Sequence, residues 1–384
     1  MTTPVLDTAD ATAGERMLAV TPTWAGITAA RELIGTDRVL LHAGPAFDSW
    51  AQVPVPVRNS MALACVYEGW ATAPATAFDL LASGAVRFRP AQDHDMVVPL
   101  AGVISPSMAL HVVADPATGR VKYAALNEGM RHCLRLGVLD PEIPAFHRWL
   151  NGPYADWLAG RCGDGVALLD VLAESLVRGD DGHSRTVAGS ALFAERLVDS
   201  GTPSEIADFL ADCPAFALNL WMGAAALILG AAEGVSGSRI VTRAGGNGVR
   251  FGFQLAERPG VWHTAPADAP RGPVEPAHAG HGAVGAIGDS AVVDVLGLGG
   301  QSLAGAPAVA AGLDGYLPGD ALERPARLLP LELLDGRLRT GLSTRTIAAA
   351  GVGPLVLLGM ISDTGRGRIG GGVYQPAVEV WLGT

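Results

Sequence analysis

Hydrophobic and polar positions in the first third of the chain alternate between strand and helix spacing over short lengths. The apolar runs "DRVLLHAG", which contains His42, and "VVPLAGVIS", which ends at Ser105, predict buried strands. Between them, "VRNSMALACVYEGW" and "ATAFDLLASG" have the apolar spacing of helices. The segment "MALHVVADPATGRVKYAAL" predicts a β-hairpin, because residues 115–119, "DPATG", favour a tight turn.

The spacing is helical from residue 130 to residue 232, as in "PEIPAFHRWLNGPYADWLAG" and "GVALLDVLAESLVRGDD". After it, short strands alternate with glycine turns, as in "RIVTRAGGNGVRFGFQL". We predict an α/β fold of complex, mixed α and β architecture, with glycine-rich mixed sheets and a helical insert. Its regions are an α/β domain at 1–129, a mainly helical region at 130–232 and a second α/β domain at 233–384 that packs on the first.

The most apolar segment, "AFALNLWMGAAALILGAA" at residues 215–232, approaches the length of a membrane span. It contains Asn219 and Gly223, follows Pro214 and has no flanking positive charge, so it predicts a buried core helix. The amino terminus lacks the basic and apolar regions of a signal peptide. We therefore expect no membrane association.

Composition narrows the class of protein. Hydrophobic residues make up 49% of the chain and charged residues 17%, which favours a well-buried globular protein over a disordered one. The formal charge is −11 and basic residues do not cluster, which argues against nucleic acid as a partner. Four cysteines without a CxxC pair indicate a reduced, cytoplasmic protein. The nine histidines do not have the spacing of a metal-binding motif, so a metal is possible but its ligands are unknown.

Two polar clusters are candidates for acid–base chemistry. "DHD", with His94 and Asp95, puts carboxylates next to an imidazole, and its alternative interpretation is the polar lip of a loop. "RGDDGHSR" brings Asp181, His183 and Arg185 to a junction between helices, where an anion could bind. The alternative there is the end of one helix and the cap of the next.

Several shorter motifs are candidates for ligand binding. "TRAGGNGVRFGFQ" surrounds Arg243 and Asn247 with glycines, although a plain hairpin turn has the same pattern. "IGDSAVVD" contains Asp289 and Ser290, for which helix capping is the simpler role. Other candidates stand at ends of predicted elements: His42 after a strand, Ser105 in "GVISPSM", and Asn127 with Glu128 in "LNEGM".

Taken in order, eight segments resemble one family. They are "LLHAGP", "DHDMVVPLAGVISPSM", "LNEGMRHCLRLG", "GDDGHSR", "FALNLWMGAA", "NGVRFGFQL", "TAPA" and "IGDSAVVDVLGLGG", and the chain is similar over them to the YlbE-like proteins. The resemblance implies a mixed α/β architecture and an association with the oxamate carbamoyltransferase complex of allantoin catabolism, a route of purine degradation. It also implies an FdrA-like partner, a further subunit, and transfer of a carbamoyl group between oxalurate and phosphate.

The chain departs from the family pattern in places. The family has another segment before the region matched by Ala13, and here we expect it to be missing or reduced. Asp93 precedes His94 where a more histidine-rich run is usual, and Gly182 and Ser184 stand where Cys and Asn are usual. A diverged paralogue acting on another amide, ureido or carbamoyl compound is therefore an open alternative.

We predict a carbamoyl or acyl transferase, or a subunit of one, that binds a small ureido or carbamoyl anion together with phosphate or carbamoyl phosphate. No cofactor is predicted, and a homo-oligomer is expected. His94 or His183 would transfer protons, with Asp95 or Asp181 orienting them. Rival hypotheses are a non-catalytic ligand-binding or scaffold subunit, and a metal-dependent amidohydrolase using His42, His94, Asp95 and His183. The expected substrate-binding residues are His42, Ser105, Asn127, Glu128, Arg185, Arg243, Asn247, Asp289 and Ser290.

Overall fold

A computed structural model describes residues 6–163 and 165–383, and it shows a mixed α/β protein with several sheets. The helices are α1 Thr8–Leu18, α2 Arg31–Ile34, α3 Val55–Tyr67, α4 Pro74–Ala82, α5 Ile143–Trp149, α6 Ala155–Ala159, α7 Leu168–Val177, α8 Val187–Leu197, α9 Ser204–Ala211, α10 Phe216–Gly230, α11 Ala291–Leu296, α12 Pro307–Gly312, α13 Arg324–Leu328, α14 Thr344–Ala350 and α15 Val378–Leu382. The strands are β1 Thr23–Ala29, β2 Val39–His42, β3 Arg87–Pro90, β4 Met96–Val97, β5 Val103–Ile104, β6 Ala109–Ala114, β7 Val121–Ala125, β8 Val166–Ala167, β9 Val241–Asn247, β10 Arg250–Leu255, β11 His263–Pro266, β12 Ile287–Gly288, β13 Leu331–Leu333, β14 Leu338–Thr340, β15 Val356–Ile361 and β16 Arg368–Tyr374.

Two sheets form the larger layers. The first has five strands in the order β4-β7-β6-β1-β8, and the second has four in the order β11-β10-β9-β12. The predicted hairpin is confirmed as β6 and β7, joined by a turn in which the Gly119 N–H donates to the Asp115 carbonyl at 2.8 Å. Gly119 has φ +70°, a conformation that glycine adopts without strain. Smaller sheets pair β13 with β14, β15 with β16, and β2 with β3 and β5.

Close approach of backbones explains part of the glycine content of the second sheet. A Cβ on Gly246, in β9, would lie 2.0 Å from the Ala286 carbonyl oxygen. A Cβ on Gly44, which has φ +72°, would lie 2.4 Å from the Gly246 carbonyl carbon. Glycine at both positions lets the loop after β2 and the segment before β12 pack directly on β9.

Helix α10 is the centre of the molecule. All of its residues except Leu218 are buried, and it packs on β6 and β7 on one side and on α11 and β9 on the other. Among the described residues, no single helix is both long and apolar enough to span a membrane; α9 and α10 reach that length only as a pair bent by 72°. The prediction of a buried core helix for this segment agrees with the burial of α10.

One hydrophobic cluster draws on all three regions defined from the sequence. It includes Trp24, Trp221 and Trp381, which are 0%, 1% and 1% exposed. The helical region also supplies an edge strand, β8, whose Val166 pairs with Trp24 of β1. The division into domains stays a prediction.

A polar link joins α10 to the first sheet through Asn219. Its side-chain amide donates to the Ala125 carbonyl of β7 at 2.6 Å, and its Oδ1 accepts from Asn127 at 2.9 Å. We expect Asn219→Ala to lower the free energy of unfolding by about 1 to 3 kcal/mol, because it leaves buried polar groups without partners. Urea unfolding would measure this.

Thr12→Ala, at an exposed position of α1, is the matched control, with a change of about 0.5 kcal/mol or less. Equal unfolding midpoints for Asn219→Ala and the unsubstituted protein would contradict the role assigned to this link.

Candidate functional site

A cavity of about 490 Å³ lies where the loops before α8, α10 and α11 meet β15 and β16. Its size suits a small-molecule ligand. No Asp or Glu is found among the described residues that line it, although the chain as a whole has a net charge of −11. The polar residues in its wall are Asn127, Arg135, His183, Ser184, Thr186, Asn219, Ser290 and Arg368.

His183 and Asp294 form a buried pair at this cavity. The His183 Nδ1 lies 2.6 Å from Asp294 Oδ2, and the two side chains are 6% and 0% exposed. Asp294 Oδ1 accepts the N–H groups of Gly300 at 2.8 Å and Leu357 at 3.1 Å, so the carboxylate is fixed. A carboxylate on Nδ1 orients the imidazole and leaves Nε2 for proton transfer.

The environment of His183 favours its protonated form. Burial by itself would lower the pKa of His183, but the charge and hydrogen bond of Asp294, together with the charge of Asp181, raise it above the ordinary value. A histidine with a raised pKa is an effective proton donor near neutral pH and becomes a base as the pH rises.

Asp181 shapes the loop that carries His183. Its Oδ1 accepts the backbone N–H groups of His183 at 2.9 Å and Arg185 at 2.8 Å. Its backbone carbonyl accepts from the Gly299 N–H at 2.7 Å, which ties the loop to the turn after α11. Gly182, which lies between Asp181 and His183, has φ +78°. Asp181 therefore positions the backbone around His183 rather than its imidazole ring, and burial raises the pKa of its carboxyl.

Asn127 and Ser290 also line the cavity but differ in what they offer to a ligand. The Asn127 Nδ2 already donates to the Ala215 carbonyl at 2.7 Å and to Asn219 Oδ1 at 2.9 Å. Both of its N–H groups are thus engaged, which disfavours the predicted donation to an oxyanion. The Ser290 hydroxyl makes no hydrogen bond within the described ranges and is available to a ligand.

Glu128 and Arg135 come together at the wall of the cavity. Glu128 Oε2 accepts the Arg135 backbone N–H at 2.9 Å, and Glu128 Oε1 lies 3.3 Å from His147 Nε2. Glu128 lines only a small chamber of about 20 Å³ behind the cavity, whereas Arg135 lines both spaces. Glu128 therefore contacts Arg135 without lining the cavity itself.

The "DHD" segment lies elsewhere, in a short 3₁₀ turn on the surface. Asp95 pairs with Lys122 at 2.5 Å and with Arg243 at 3.3 Å, and Arg243 also pairs with Glu233 at 2.7 Å. Burial and the charge of Arg89 lower the pKa of His94. His94, Asp95 and Arg243 share one region, but none of them lines the cavity that contains His183.

The other predicted residues are engaged in the fold. His42 is buried 4.6 Å from the Phe47 ring, and burial lowers its pKa to about 4. The Ser105 hydroxyl donates to Glu68 Oε1 at 2.6 Å, and Asn247 donates to the Pro45 carbonyl at 2.8 Å. Arg185 lies 3.6 Å from Asp180 and is 42% exposed, outside the cavity wall.

The predicted histidines do not form a metal site in the described part of the chain. In residues 6–163 and 165–383, no three His, Cys, Asp or Glu side chains are grouped so that they could hold a metal ion. His42, His94, Asp95 and His183 are therefore not brought together as the amidohydrolase hypothesis requires.

The cavity and a larger open groove nearby differ in the charge of the residues that line them. That groove, of about 890 Å³, has an aromatic floor that includes Trp149 and Phe209, and it shares Met130 and Pro214 with the cavity. Arg131 and His132 also line it, but they are outnumbered by four carboxylate side chains, which makes the groove less favourable for an anion than the cavity. The four carboxylates belong to Glu142, Glu205, Asp208 and Asp212.

Comparison with known proteins identifies the family. Residues 86–290 match the sequence model of "Oxamate carbamoyltransferase subunit AllG". The AllG protein of Escherichia coli (strain K12), bearing the same description, is 30% identical over 394 residues, which cover 96% of this chain and 94% of that protein. The chain belongs to the AllG family.

Two further proteins are similar to this chain over most of its length. YahG of Escherichia coli (strain K12), described as uncharacterized, is 29% identical over 94% of this chain and 81% of its own length. A crystal structure of a conserved protein of unknown function from Enterococcus faecalis V583 superposes with a TM-score of 0.90 at 29% identity, covering 97% of this chain and 95% of that one. The association with oxamate carbamoyltransferase is confirmed at the level of the family, while the name YlbE-like stays a prediction.

Three functional side chains in this AllG-family chain were not predicted from the sequence: Arg135 and Arg368, which line the cavity, and Asp294, which holds His183 from behind the wall. Arg135 lies in "LNEGMRHCLRLG" and Asp294 in "IGDSAVVD", both quoted as family segments, yet neither was singled out. Arg368 belongs to β16, where no motif pointed to it. The one usable signal was Asp294, a lone carboxylate in an otherwise apolar helix.

Asp289, next to the cavity residue Ser290, provides a test by pH. Burial raises its pKa to about 7, although the Gly44 and Val98 N–H groups and the Gln92 amide donate to it. Because an unfolded Asp titrates near pH 4, its native carboxyl retains a proton between about pH 4 and 7, and stability is lost as the pH rises through this interval. Asp289→Asn should therefore gain stability relative to the unsubstituted protein as the pH rises.

Urea unfolding of both proteins across this interval would measure the difference. Asp314→Asn, on an exposed turn, should leave the pH profile parallel to that of the unsubstituted protein. A parallel profile for Asp289→Asn as well would refute the raised pKa.

Proposed function

We propose that this chain is a subunit of an oxamate carbamoyltransferase-type complex, and that its cavity binds a small ureido or carbamoyl anion. The observation that carries the proposal is the His183–Asp294 pair, at 2.6 Å, in a cavity whose described lining has two arginines and no carboxylate. Membership of the AllG family supports the substrate class, because the matching family is described as a subunit of that enzyme.

The chemistry needs charge stabilisation and proton transfer more than a protein nucleophile. A phosphate oxygen attacks the carbamoyl carbon of oxalurate, the bond from that carbon to the oxamate nitrogen breaks, and that nitrogen takes a proton. The products are carbamoyl phosphate and oxamate. The proposal assigns this proton to His183, which Asp294 orients through Nδ1: His183 gives the proton from Nε2 and, in the reverse direction, removes it.

Two further kinds of side chain in the cavity are suited to stabilise the negative charge that develops on the oxygens during the reaction. The Ser290 hydroxyl has no partner among the described residues and can donate to the oxygen of the tetrahedral intermediate. The arginines are suited to carboxylate and phosphate oxygens. FdrA-like and other subunits would complete the complex, and the proposal assigns to this chain the site described above.

The test is phosphate-dependent cleavage of oxalurate by the purified chain, alone and assembled with its partner subunits. We expect His183→Gln in the assembled enzyme to lower kcat by about 100- to 10,000-fold, because general acid–base catalysis contributes about that much. Asp294→Asn should also lower kcat for oxalurate cleavage. It should shift the alkaline limb of the pH profile to lower pH, because His183 acts as the acid in this direction and Asp294 raises its pKa.

His278→Gln, in the loop before β12, is the control and should retain full activity. His94→Gln separates the two histidines proposed from the sequence. If its loss exceeds that of His183→Gln, proton transfer belongs to the surface segment and not to the cavity. Inactivity of the unsubstituted protein in both preparations would refute the proposed function and favour a binding or scaffold role.

A further inference from the structure

Arg135 lies in the wall of the cavity and was not among the substrate-binding residues predicted from the sequence. We propose that Arg135 anchors the anionic end of the ligand, a carboxylate or phosphate oxyanion, and that this chain binds the anion without partner subunits. This inference rests on the proposed function for the location of the substrate. It adds the residue that recognises the anion and the claim that recognition needs one chain only.

The hydrogen bonds of the Arg135 guanidinium are incomplete. Nη2 donates to the Gly129 carbonyl at 2.8 Å, but the buried Nη1 has no hydrogen-bond partner in the described part of the chain. The nearest carboxylate oxygen, Glu128 Oε2, is 3.9 Å from Nη1 and thus beyond hydrogen-bond distance. Arg135 is only 9% exposed, so unpaired donors are costly unless a ligand accepts from them.

The loop that carries Arg135 holds it in place before a ligand arrives. Glu128 accepts the Arg135 backbone N–H, and the Gly129 carbonyl accepts from the Arg135 side chain, so two adjacent residues at the start of the loop fix both the backbone and the side chain of Arg135. Gly129 has φ +65°, and a Cβ there would lie 2.7 Å from Phe209 Cε2. A side chain fixed in advance loses little entropy on binding.

The charges around the cavity select for an anion. Arg135, His183 and Arg368 are its cationic or titratable members, and no carboxylate belongs to its described lining. Arg368 is the more exposed arginine, with its side chain 45% accessible and bonded to Glu275 at 2.8 Å. Arg135 is therefore the inner contact, and its guanidinium is suited to bind two oxygens of one oxyanion.

Isothermal titration of the isolated chain tests the proposal with three probes: oxamate, inorganic phosphate and the uncharged analogue oxamide. We expect binding of an anion and none of oxamide. Competition between oxamate and phosphate then shows whether a carboxylate or a phosphate occupies the site. Arg135→Gln should weaken anion binding by about 10- to 100-fold, because hydrogen bonds to charged groups are worth roughly that factor.

Arg161→Gln is the control for the loss of one arginine, because Arg161 pairs with Asp199 and lies outside the cavity. Its anion affinity should equal that of the unsubstituted chain. Hydrogen exchange of the backbone amides in residues 128–137 is measured on the unsubstituted chain, so this test does not depend on whether a variant folds. We expect oxamate or phosphate to slow it, and unchanged exchange at a saturating anion concentration would count against Arg135.

Two results would overturn the inference: no anion binding by the isolated chain, or full affinity of Arg135→Gln. Its failure is distinguishable from that of the proposed function. Arg135-dependent binding by a chain whose assembled complex does not cleave oxalurate refutes only the function. Normal oxalurate cleavage by a complex containing Arg135→Gln, with unchanged KM, refutes only the inference.

Discussion

The Asp294 carboxylate is the interaction on which the arrangement of the cavity depends. It is fully buried in α11 and accepts from the His183 ring, the Gly300 N–H and the Leu357 N–H. One side chain thus connects the loop before α8, the turn after α11 and strand β15. Burying a carboxylate is costly unless hydrogen bonds satisfy it, and these three partners come from segments far apart in the sequence. The same bonds that stabilise the carboxylate bring His183 to the cavity.

A second constraint is the placement of charge in an acidic protein. With 38 acidic and 27 basic residues, the chain has a net negative charge, whereas no carboxylate belongs to the described lining of the cavity. Glu128 lines the small chamber, and its Oε2 lies 3.9 Å from Arg135 Nη1, so it offsets part of the charge of the arginine. A nearby carboxylate lowers the cost of burying a cationic side chain.

Local patterns predicted much of the fold because their causes are local. The hairpin of β6 and β7 follows from its turn residues, and the burial of α10 follows from its apolar sequence and the absence of flanking charge. The candidate site was harder to predict. His183, Asn127 and Ser290 were among the predicted residues that line the cavity, whereas His94, Asp95 and Arg243 form an ion-pair network elsewhere. A run of polar residues in the sequence fits a reactive cluster and a surface ion-pair network equally well, so the run alone does not distinguish them.

The sequence by itself determined the mixed α/β class, the central apolar helix and the family to which the chain is similar, because spacing, turn chemistry and ordered segments are properties of the linear chain. Only the tertiary structure decided which polar groups meet. His183 and Asp294 are 111 positions apart, and Arg135 and Arg368 come from different layers of the molecule. Their convergence depends on how α10, α11 and the last sheets pack, and packing is a sum over many distant contacts that no local motif contains.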